Sequence, residues 1–102
     1  MQQKIIALPK LDNLTPTMES TALKLMEEAG ELAQAIGKLR GMSGEAVAID
    51  QSVVLQAITR ELLDVAQTAV SLMYVLEDHY GVDIQQALAE HIDKLKAKKY
   101  LK

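Results

Sequence analysis

Cysteine is absent from this 102-residue chain, and so are tryptophan and phenylalanine. Without thiols there is no disulfide framework and no thiolate metal site. The only aromatic residues are three tyrosines, so a core has to be built from Leu, Ile, Val, Ala and Met, a set that suits helices packing on helices. A basic excess is also missing. The formal net charge is −3, the wrong sign for a general nucleic-acid binder, which works through a strong positive field. Long apolar runs are missing too. The start, MQQKIIALPKLDN, lacks the apolar stretch of a signal peptide. The most apolar segment, Leu62 to Leu76, is broken by Asp64, Gln67, Thr68 and Ser71, which makes it too short and too polar to span a bilayer. These absences point to a cytoplasmic protein that binds neither nucleic acid nor membrane.

What is present is helical periodicity. At this length one domain covering residues 1–102 is expected, with residues 1–14 as an extended N-terminal arm, because Leu8-Pro9 disfavours helix and LDNLTP is loop chemistry. Thr15-Pro16 reads as a helix start, with Thr15 as cap and Pro16 in the first helical position. Apolar residues then recur every three or four positions from Ala22 to Leu39. The first helix is expected to reach about Arg40, where Gly41 can close it. GMSG at 41–44 is a break, and 45–51 reads equally well as a helical turn or a loop. A second long helix is expected from about Ser52 to His79, ended by Gly81. Its stripe, from Val54 to Leu76, is widened by Leu55, Ala66 and Met73, so it needs more than one neighbour. A third helix, from Ile84 to about Lys99, starts at an Asp83 cap with Gln86 as reciprocal partner. Its apolar line includes His91, read as a packing residue. The expected fold is all-α: an antiparallel helical bundle of two long helices and a C-terminal helix, completed by oligomerisation.

Two stretches do not fit a plain bundle. LMEEAGELAQ (25–34) and RELLDVAQTA (60–69) each place an acid pair, Glu28 with Glu31 and Glu61 with Asp64, on the margin of a buried stripe. At about 100° per residue, Glu28 and Glu61 fall at the stripe edge and Glu31 and Asp64 just outside it. If the helices pack antiparallel, both pairs lie near mid-helix and meet at one level. Either pair alone is consistent with a solvated face and i,i+4 lysine pairs. Four converging carboxylates, however, repel and resist desolvation. Protonation, a basic partner such as Lys24, or a bound cation would relieve them. Oxygen ligands without histidine or cysteine suit Mg²⁺ or Mn²⁺. There is no P-loop, no H-E-x-x-H, and no Glu-x-x-His of di-iron bundles.

KLMEEAGELAQAI (24–36) followed by ELLDVAQTAVSLMYVL (61–76) resembles the MazG-like branch of the all-α nucleoside triphosphate pyrophosphatases, marked by E-x-x-E on one helix and E-x-x-D on the next. The resemblance implies a bundle that assembles as a homodimer or homotetramer. It implies Mg²⁺ held by Glu28, Glu31, Glu61 and Asp64, with Glu27 in support. It also implies hydrolysis of a nucleoside triphosphate to monophosphate and pyrophosphate. Lys38, Lys94 and Lys98 are the candidates for holding the substrate phosphates. The competing expectation is a non-enzymatic helical dimerisation or regulatory module that keeps the fold.

Overall fold

The computed structural model describes residues 1–41 and 50–102. Among them are three helices and no strand: α1 (Met18–Leu39), α2 (Gln51–Tyr80) and α3 (Ile84–Ala97). The fold is the expected all-α one. Residues 42–44 of the expected GMSG break and residues 45–49 of the ambiguous stretch lie outside the described residues.

Helix ends follow side-chain chemistry. Thr17, not Thr15, caps α1. The Ser20 N–H donates to Thr17 Oγ1 at 3.0 Å, and the Thr17 N–H donates back to Ser20 Oγ at 2.9 Å. A cap at Thr15 would put Met18 at the third helical position, where it has no polar atom to return the bond. Asp50 caps α2 by accepting from the backbone N–H and the hydroxyl of Ser52, both at 2.9 Å. Those bonds favour the carboxylate and hold the Asp50 pKa below its ordinary 3.8. Gly81 ends α2 at φ +66°, in the left-handed region that glycine enters freely. Asp83 caps α3 by accepting from the Gln86 N–H at 2.9 Å. The expected reciprocal bond is not made, because Gln86 Nε2 turns forward to Glu90 at 3.2 Å. The third helix stops at Ala97, short of Lys99, which sits at φ +61° while the Tyr100 N–H bonds back to the Leu95 carbonyl at 3.0 Å. That is the closing pattern that usually uses glycine.

α1 and α2 pack along each other. They run antiparallel: Glu28 of α1 meets Glu61 of α2, while Lys38 and Leu39 share a recess with Gln51 and Val54. The buried residues along this seam are Thr21, Glu28, Val54, Thr68 and Val75. The two threonines fit because their hydroxyls donate to their own helix four residues back, Thr21 to the Thr17 carbonyl at 2.6 Å and Thr68 to Asp64 at 2.8 Å. α2 overhangs the start of α1, and the N-terminal arm lies on the overhang. Lys10 Nζ pairs with Asp78 at 2.6 Å and sits 5.4 Å above the Tyr74 ring. Gln67 Nε2 donates to the Pro9 carbonyl at 2.9 Å.

α3 packs little against either long helix. Its expected apolar line is therefore largely uncovered: Leu88 is half exposed, and His91 is exposed rather than a packing residue. On α2, Leu62, Leu63 and Met73 face solvent as well. No described helix is long and apolar enough to cross a membrane.

Candidate metal centre

The antiparallel seam brings acids from both helices together. Carboxylate oxygens of Glu28, Glu31 and Glu61 lie within 4.8 Å of one another. Their burial follows the order read from the spacing: Glu28 buried, Glu61 half-buried, Glu31 exposed. Asp64, one turn on from Glu61, is exposed and stands outside this group of three, though it lines the same cleft as Glu28. The expected convergence of four is thus a triad with a fourth acid beside it. Glu27 has an exposed side chain and lies 3.9 Å from Lys24.

The electrostatics of the triad are unrelieved on one side. Lys24 Nζ reaches Glu28 Oε1 at 3.0 Å, the i,i+4 pairing that the sequence allowed, and the pair raises the Lys24 pKa. Glu28 Oε2 and Glu61 Oε2, in contrast, are buried with no hydrogen-bond partner. Buried carboxylate oxygens without donors are costly. Glu31 registers the crowding. The negative charge of Glu28 pushes its carboxyl pKa up, and the close approach of the Glu61 carboxylate adds to it. Two orphaned oxygens facing a third carboxylate, with no nitrogen or sulfur ligand, form a donor set that fits a hard divalent cation.

The lysine candidates stand apart. Lys38 lies two turns beyond Glu31, close to the same face and about 10 Å further along the axis. It sits in the recess shared with Arg40 and Gln51. Lys94 on α3 and Lys98 at its C-cap are exposed and form no ion pair among the described residues. What the sequence did not reveal is where the arm docks. With α1 and α2 it encloses an open cleft of about 1020 Å³ that runs from Glu28 and Asp64 to Asp78. Its pins, Lys10–Asp78 and Pro9–Gln67, join residues far apart in the chain and carry no local signal.

An all-α chain whose acids face each other across two antiparallel helices carries the donor set of a divalent-cation site. The MazG nucleotide pyrophosphohydrolase domain model matches residues 16–100, and the chain belongs to that family. No curated protein and no solved structure matches it.

Proposed function

We propose that the chain is a Mg²⁺-dependent nucleoside triphosphate pyrophosphohydrolase that cleaves between the α- and β-phosphates, with Mn²⁺ as an alternative ion. The observation that carries this reading is the pair of buried, unpartnered oxygens, Glu28 Oε2 and Glu61 Oε2, beside Glu31. A bundle that only dimerised would gain nothing from them.

In this reading residues 1–102 act as one domain. Glu28, Glu31 and Glu61 hold the ion, and Asp64 supplies a further carboxylate from the next turn of α2. A divalent ion bound there would offset the polyphosphate charge and acidify a water for attack at phosphorus. Carboxylates alone repel a triphosphate, so without metal the site should bind none. Lys24 neutralises Glu28 on the cleft side and keeps that carboxylate from turning away. Glu27, beyond Lys24, supports the site only through that lysine. Lys38, close to the face of Glu31, would take the departing pyrophosphate. Lys94 in the last turn of α3 and Lys98 at its C-cap, four apart, can grip one anion together when assembly brings that helix over a site.

The test is a panel of ribo- and deoxyribonucleoside triphosphates incubated with Mg²⁺, with and without chelator, and separated products. Monophosphate and pyrophosphate that vanish with chelator support the reading. Orthophosphate as the only inorganic product refutes the bond assignment. No turnover of any triphosphate favours the non-enzymatic dimerisation module.

A further inference from the structure

The cleft beside the acids has a character of its own. Its lining counts four carboxylates, Asp12, Glu28, Asp64 and Asp78, against two lysines. Both lysines are already committed, Lys10 to Asp78 and Lys24 to Glu28. A bare anion is therefore repelled along its whole length. The arm contributes apolar walls through Leu11, Leu14 and Pro16, faced by Val75 of α2. Between them lies a buried hydroxyl without a partner. The hydroxyls of Thr21 and Thr68 are spent on backbone carbonyls, but Ser71 Oγ is buried and has no hydrogen-bond partner. A cleft that is apolar on its walls, hostile to free anions and supplied with one buried hydroxyl suits a neutral ring with a polar edge. Ser71 lies two turns beyond Asp64 on nearly the same face of α2, about 10 Å along the axis. That is the reach from a phosphate at the acid cluster across a sugar to a base.

We propose that residues 9–17 form a working wall of the substrate site, and that the cleft they close takes the nucleoside half of the nucleotide, with Ser71 Oγ reading the base edge. The ligand class rests on the pyrophosphohydrolase reading; the wall and the hydroxyl rest on the geometry. Lys10 acts as a positioning residue, since it touches Asp78 and Tyr74 and holds the arm in place. Its ion pair is half exposed on both sides, and such pairs hold weakly. The arm is thus held well enough to shape the cleft and loosely enough to admit a ligand.

The experiment is an NMR titration of the full chain in saturating Mg²⁺ with the five common nucleoside monophosphates, using ribose 5-phosphate as the baseless control. At least one nucleotide should shift the amides of residues 10–17 and 67–75 more tightly than the control does. Lys10→Ala should weaken that binding by about fivefold, the most an exposed pair supplies. Ser71→Ala should weaken it by about tenfold, as the loss of one buried hydrogen bond to the base. In both variants the rise in melting temperature caused by Mg²⁺ should stay as in the wild type. The proposal is overturned if no monophosphate shifts these residues, if ribose 5-phosphate binds as tightly, or if both variants keep wild-type affinity. The two readings separate cleanly. Nucleotide shifts without triphosphate turnover keep the cleft and sink the reaction. Turnover with an unchanged KM in both variants keeps the reaction and sinks the cleft.

Discussion

Leu62→Ala should weaken self-association of this chain by more than one order of magnitude. The chain exposes 8190 Å², whereas a compact monomer of 11.2 kDa exposes about 5700 Å². The surplus is about 2500 Å² per chain, on the scale of an obligate interface. The radius of gyration agrees: 16.9 Å, against roughly 13 Å for a compact domain of this length. The exposed apolar side chains of α2, Leu62 and Met73 with Ala66 between them, share a face turned away from the acids, and a second copy packing there would cover part of that surplus. Leu62 is 53% exposed, so about half of the 2 kcal/mol or so for burying a leucine is still to be gained, roughly 1 kcal/mol per protomer. In a twofold dimer the loss counts twice, about 2 kcal/mol, which is roughly a 30-fold rise in the dissociation constant. Sedimentation equilibrium over a micromolar concentration series measures it. A wild type that runs at 11.2 kDa throughout, or equal dissociation constants for wild type and Leu62→Ala, would refute the reasoning.

Other expectations follow from the same geometry. Mg²⁺ at roughly a hundred times its dissociation constant should stabilise the fold by about 2.7 kcal/mol, read as a rise in melting temperature of roughly 10 °C or more. Glu28→Gln with Glu61→Gln should abolish that rise while lifting the metal-free melting temperature, because two repelling charges are gone; a full metal shift in the double variant would misplace the site. Thr17→Ala should cost about 1 kcal/mol in chemical denaturation, since it removes the cap of α1 and half of its reciprocal pair. The lowered pKa of Asp50 gives stability that is present above its unfolded value and lost as pH falls through the folded one, so Asp50→Asn should flatten the decline in melting temperature below about pH 4.

Much of this was legible in the residues because it is local. The three helices follow from apolar spacing, and Gly81 and Asp83 mark a stop and a start by themselves. The acid triad was visible because two short helical spacings fix which residues share a margin, and antiparallel packing then makes the margins meet. The errors fall where two local signals compete or where a partner is distant. Thr15 and Thr17 are both good caps, and only the return bond from Ser20 decides between them. Gln86 had two bonds within reach and took the one to Glu90. Asp64 lies beside the triad rather than in it, because a further turn along α2 moves it beyond the stretch where Glu28 and Glu31 face Glu61. The arm was legible as an extended segment, but its docking was not: nothing near Lys10 in sequence announces Asp78. The apolar line of α3 was legible as a line, but not that the two long helices of the same chain leave it largely uncovered, since periodicity says that a face wants cover and not what covers it.

The central claim is that Glu28, Glu31 and Glu61 grip a divalent ion at which the nucleotide phosphates meet the protein. Crystals grown with Mn²⁺ and a triphosphate analogue that resists cleavage between its α- and β-phosphates would test it most directly, through the anomalous signal of manganese. The account predicts a peak among those three carboxylates, within reach of Asp64, with phosphate oxygens on its open side. A peak elsewhere, or nucleotide bound with no metal between it and the acids, would contradict it.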